Sequence, residues 1–153
     1  MADEAQRFGS DLRLLGDLRR GNDRQPGHDL FVTVRPMTGK RDLATLAGKE
    51  NLEQALLMRF LTRAGELTVL GHSDYGSRLF ELIGELNNDA NRNRAKLYVL
   101  QALEAESRVK EVVSVEVTPD PRVRTQINIV ATLVAIDNNT PLTVAFPFLL
   151  GGN

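Results

Sequence analysis

Few residues in this chain could do chemistry. Histidine occurs twice, at His28 and His72, and cysteine is absent. Both histidines fall in loop-like stretches, and neither has the helical partner spacing that puts two imidazoles and a glutamate around zinc. Without cysteine there is no thiolate ligand, thiol nucleophile or disulfide. The stretch GHSDYG, residues 71–76, places a serine among glycines. A serine-hydrolase elbow needs glycine two residues after the serine, where Tyr75 stands, and a strand before it. Ser73 or Asp74 therefore reads as a helix cap, and Tyr75 as a packing residue. Glu66, Glu81, Glu85, Glu104 and Glu106 could supply the two carboxylates of a glycosidase, but their separation cannot be read from spacing. We assign no catalytic residue, metal site or cofactor.

Two features bear on binding instead. Arg92, Arg94 and Lys96 cluster at the start of a helix, where cations oppose the helix dipole. They read as a solvated face or, more sharply, as part of a protein interface, since arginine is enriched at such contacts. Near the C-terminus, Leu142, Val144, Phe146 and Phe148 alternate as one strand, and Pro147 interrupts its hydrogen bonding, which favours an edge. An apolar edge tends to recruit another strand, unless residues 30–35 or the glycine-rich tail cover it. The sequence suggests Val144→Pro as the change that would blunt this edge.

Helices must position these groups. Ser10 or Asp11 could cap a short helix carrying Leu12, Leu15 and Leu18, with Arg19, Arg20 and Gly21 at its end. A linker follows, then a strand over 30–35 and an irregular stretch over 37–48. The first central helix is expected over about 50–63, from the spacing of Leu52, Ala55, Leu56 and Phe60. A second is expected from Ser73 to Leu86, where Leu79, Leu82, Ile83 and Leu86 recur at helical intervals. Gly84 inside it suggests close approach of another backbone. A third runs from about Asp89 to Glu106, with Ala95, Tyr98, Val99, Ala102 and Leu103 facing inward. Glu106 extends that face and requires a partner, because an unpaired buried charge is costly.

Strands complete the chain. Val113, Val115 and Val117 alternate, as do Ile127, Ile129, Ala131, Leu133 and Ala135, and Asp137-Asn138-Asn139 suits a hairpin. The expected fold is α+β: three central helices packed on a C-terminal antiparallel sheet, with an N-terminal helix-strand arm. We divide the chain into an arm, residues 1–40, and a domain, residues 41–153.

Composition sets the outer limits. The 153 residues fit one domain, and 19 basic against 20 acidic side chains leave a formal charge of −1. Neither that balance nor the few aromatics favours nucleic acid as a partner. The N-terminus lacks a signal core and no apolar run spans a bilayer, so cytoplasmic synthesis is expected without membrane insertion.

The blocks LEQALLMRFLTRAGEL, LGHSDYGSRLFELIGE, NRNRAKLYVLQALEAESRV and VEVTPDP, taken in order, resemble the baseplate wedge and tail-sheath initiator family of contractile phage tails. The family includes components of type VI secretion systems and of phage-tail-like extracellular injection particles. The resemblance covers roughly residues 40–150. It implies a structural baseplate component that sits in multiple copies in a ring around the tail tube. Its partners would be the tail sheath protein and larger wedge proteins, with tube or hub proteins as further neighbours. It also implies that sheath strands add to the protein's sheet and that polymerisation starts there. The family's Glu-Pro-Arg motif falls on Glu106, Ser107 and Arg108, with serine in place of proline, and is tied to contact with wedge proteins. Glu106, Arg108, Arg92 and Arg94 are the expected wedge-facing residues, and Leu142, Val144, Phe146 and Phe148 the expected sheath-binding strand. The alternative is a peptidoglycan-degrading, lysozyme-like baseplate enzyme, with Glu66 or Glu81 as its acid.

Overall fold

A computed structural model describes residues 8–14, 30–136 and 141–151. In chain order, its strands begin with β1 (Ser10–Leu12), β2 (Val32–Val34), β3 (Arg41–Leu43) and β4 (Thr45–Ala47). Two helices follow, α1 (Lys49–Leu61) and α2 (Asp89–Glu104), and then β5 (Val109–Pro119), β6 (Gln126–Ala135) and β7 (Pro141–Leu149). The last three strands form one antiparallel sheet in the order β5-β6-β7.

Period-two burial makes β6 the centre of that sheet. Ile127, Ile129, Ala131, Leu133 and Ala135 are all buried, while the residues between them are half-buried on the other face. Both helices contribute to the same core. Leu52, Leu56, Leu57 and Phe60 come from α1, and Ala95, Tyr98, Val99, Ala102 and Leu103 from α2. The rings of Phe60 and Phe146 stack at 5.1 Å and 14°, fixing α1 to β7. The start of α2 is capped by Asn88, whose side chain accepts from Asn91 N at 2.8 Å, with Asp89 in the first turn.

The described helices number two, not three. The expected second helix reduces to a 3-10 turn, Leu79–Leu82. Gly76 and Gly84 have φ of +105° and +94°, which no helix continues. Leu79 and Leu82 are buried as the periodicity implied, but Ile83 is 65% exposed. Gly84 lies beyond the turn, and its N–H donates to Leu150 O at 2.5 Å. A Cβ there would meet no neighbour, so only the left-handed backbone calls for glycine at this position.

At the N-terminal end, Ser10–Leu12 is a strand paired with Thr45–Ala47, not the start of a helix. Leu15, Leu18, Arg19, Arg20 and Gly21 lie outside the described residues. Two buried polar side chains of α1 hold this segment. Asn51 Nδ2 donates to Phe8 O at 2.8 Å. Gln54 donates to Leu12 O and accepts from Leu14 N, both at 2.8 Å. Backbone groups satisfied this way let Phe8 enter the core. The strand expected over 30–35 forms as β2, and it pairs with β3 inside the stretch expected to be irregular.

The valine alternation in β5 is broken by register shifts between Val109 and Glu111 and between Val112 and Ser114. The second shift turns Val113 outward, to 55% exposure, and brings Val112 and Val115 inward. The hairpin residues Asp137–Asn139 lie outside the described residues.

Candidate functional site

The turn after α2 gathers the densest group of charges. Glu106 is 6% exposed, and Arg59 of α1, 47 positions earlier, is 8% exposed. Arg59 Nη2 donates to Glu106 Oε2 at 3.1 Å, and Arg108 Nε donates to Glu106 Oε1 at 2.7 Å. Arg59 Nη1 donates to Asp74 O at 3.1 Å, and its guanidinium lies 4.7 Å from the centre of the Tyr75 ring. Burial pushes the Glu106 pKa up, but the hydrogen bond and charge of Arg108, with the charge of Arg59, more than offset it, leaving Glu106 below the usual carboxylate range. Burial likewise raises the Tyr75 hydroxyl, against the opposing charge of Arg59. One carboxylate thus joins α1, the 71–78 loop and the α2–β5 turn, while Arg108 keeps 31% of its side chain exposed.

Arg92 and Arg94 do not join this group. Arg92 pairs with Asp89, and its Nη1 donates to Asn87 Oδ1 at 2.7 Å. Asn87 in turn donates to Arg124 O and Gln126 O, so Arg92 braces the entry to β6. Arg94 donates to Asn91 Oδ1 at 3.1 Å and to the Tyr98 hydroxyl at 3.3 Å.

Of the two candidate acids of the enzyme reading, Glu81 sits in an environment that favours the carboxylate. Glu81 receives Arg78 Nε at 2.8 Å, Arg78 Nη2 at 2.9 Å and the Tyr98 hydroxyl at 2.9 Å. The Arg78 and Tyr98 hydrogen bonds hold its pKa below the usual range, the opposite of what a general acid requires. Glu66 is exposed and accepts from Arg63 N at 3.3 Å. Among the described residues no group of three potential metal ligands gathers, and no helix is long and apolar enough to cross a membrane.

The C-terminal edge offers backbone groups. Leu150 N–H donates to Thr125 O at 2.8 Å, in phase with the β6–β7 register. Antiparallel partners alternate between bonded and non-bonded pairs. It follows that Leu142, Val144, Phe146 and Phe148 turn their N–H and C=O groups toward β6. Their side chains face the core, Val144 and Phe146 fully and Leu142 and Phe148 in part. The alternate set, Pro141, Thr143, Ala145, Pro147 and Leu149, directs its backbone groups to the open edge. Spacing along one strand does not reveal this set, because the bonding phase depends on the partner. Val144→Pro would therefore break the ladder to β6 and leave the outer edge as it is.

Among the described residues no strand pairs with the outer side of β7, and β2, the expected cover, pairs with β3. The two edges of the sheet differ. The β5 edge is bulged and carries Lys110, Glu111 and Glu116. Such charges and bulges discourage pairing. The β7 strand, PLTVAFPFL, is uncharged and keeps one register along its length. A groove of about 400 Å³ runs beside it, lined by Glu53 of α1 with Pro141, Leu142, Thr143 and Ala145.

The sequence profile described as contractile injection system sheath initiator matches residues 31–137, more than half of the chain. No curated protein matches the chain. A solved structure from Geobacter sulfurreducens, described by name as a tail lysozyme, superposes with a TM-score of 0.57 at 20% identity. The superposition covers 66% of this chain and 89% of that one. At that identity the likeness establishes the shared fold and nothing about activity.

Proposed function

The chain belongs to the contractile injection system sheath initiator family. From that premise we propose that it is a baseplate component that binds wedge proteins and nucleates sheath polymerisation by strand addition to β7. The observation that carries this reading is the asymmetry of the sheet: β5 is bulged and charged, whereas β7 is uncharged and in one register. Thr143 and Ala145 each present one N–H and one C=O to an incoming strand. At about 0.5–1.5 kcal/mol net per bond, a single such contact is modest. Repeated in a ring around the tube, it becomes sufficient to seed a polymer.

The wedge-facing surface in this reading is centred on Arg108. Glu106 fixes one side of its guanidinium, and the exposed remainder is free to meet an acidic group of a wedge protein. Arg92 and Arg94, which stand apart from the Glu106 group, are further wedge-facing residues in this proposal. The protein would be made in the cytoplasm and incorporated into the baseplate of a phage-tail-like particle. Glu66 and Glu81, exposed or held ionised, give the lysozyme reading no support.

Electron microscopy of particles assembled with and without the protein tests the proposal. Without it, tubes standing on baseplates should lack sheath. Complete sheathed particles would overturn the initiator role.

A further inference from the structure

We propose that Pro147 sets the register and the length of the strand that the β7 edge accepts, confining pairing to Pro141–Ala145. This rests on the strand-addition reading above and specifies the seat within it. Five residues direct their backbone to the open edge, and two of them, Pro141 and Pro147, have no N–H. The outward donors are therefore Thr143, Ala145 and Leu149. Pro147 separates Leu149 from the other two.

An incoming strand that ran past Ala145 would bring a carbonyl opposite Pro147. It would meet the pyrrolidine ring where a donor is needed, and a buried acceptor left without a donor is costly. A strand seated on Pro141–Ala145 meets no such gap. Its two central pairs fall on Thr143 and Ala145, and the Pro141 end has only a carbonyl to offer. Sliding by two residues toward Leu149 exchanges one complete pair for the defective one at Pro147. The uniform apolar character of the strand would otherwise leave register weakly specified.

Two grooves flank β7. One, of about 400 Å³, is lined by Pro141, Leu142, Thr143 and Ala145 with Glu53, and a strand seated on the N-terminal half of the edge could place one side chain in it. The other, of about 300 Å³, is lined by Ala145, Phe146 and Pro147 with residues of β6, so the choice between the halves rests on the missing donor at Pro147 and not on the grooves. The occupant is an extended segment of the sheath subunit, short enough to pair over about five residues.

Residue-resolved amide exchange tests this on the full-length protein, alone and with sheath subunits polymerised on it. The N–H groups of Thr143 and Ala145 should exchange at least tenfold more slowly in the sheathed state, and that of Leu149 at an unchanged rate. In Pro147→Val, which restores the missing donor, protection should spread to Val at position 147 and to Leu149. Protection of Leu149 together with Thr143 and Ala145 in the unaltered protein would overturn the register device and leave strand addition standing. No change at any of the three amides would overturn both.

Discussion

Glu106 is the residue whose role the sequence indicates most directly. Its place in phase with the inward face of α2, two residues past the end of that helix, implied a buried carboxylate in need of a partner, and Arg108 stands two positions on. Arg59 was not visible, because it lies 47 residues away on α1 and arginine on a helix ordinarily reads as solvated. Removing Glu106 would leave Arg59 buried against an apolar core without its counter-charge. Glu106→Ala should therefore cost about 3–5 kcal/mol in urea unfolding of the full-length protein. Arg108→Ala, which leaves the Arg59 pair in place, should cost less and act mainly on wedge-protein binding. The pKa of Glu106 is depressed in the fold, so the folded state binds fewer protons than the unfolded chain near that pH. Its stabilisation is complete above the ordinary glutamate range and is lost as pH falls through the lower, folded value. Glu106→Gln should flatten the acid limb of a stability–pH profile, and an unchanged limb would move the effect to Asp120 or Glu81, which are also depressed.

Among the elements, long periodic segments were legible, and of the short ones only β2 was. The faces of α1, α2 and β6 follow from sequence because three or more apolar residues repeat at one period in each. The 73–86 segment carries a helical repeat too, but its glycines at positive φ override it. A Cβ on Gly76 would lie 2.7 Å from Arg63 O, since this loop runs against the end of α1 and Ser77 Oγ donates to Phe60 O at 2.6 Å. Gly76→Ala should destabilise by more than about 1 kcal/mol, measured by thermal unfolding. Phe60→Ala should cost about 3–5 kcal/mol, because it empties the contact between α1 and β7. The β5 bulges were invisible for a different reason: a bulge is a property of two strands, and the valine alternation belongs to one. The same limit hid which β7 residues face outward. Val144→Pro should unfold the sheet, whereas Ala145→Pro should leave it folded, and circular dichroism of the two variants distinguishes them.

At the scale of the molecule, the order of helices and then hairpin-linked strands was enough to indicate an α+β fold with an antiparallel C-terminal sheet. The N-terminal wrap was not legible, because β1 is three residues long and pairs with β4 across more than thirty positions. Asn51 and Gln54, the side chains that hold it, look like surface residues until a backbone is placed against them. The assembly proposal depends on what this sheet leaves open. Electron microscopy of particles built with a Thr143→Pro, Ala145→Pro variant tests it most directly, since those changes remove both donors from the seat and touch no backbone bond to β6, only the contact between the Thr143 and Thr132 hydroxyls. Baseplates and tubes should form with the variant in place and carry no sheath. Full-length sheaths on particles containing the folded variant would contradict nucleation at the β7 edge.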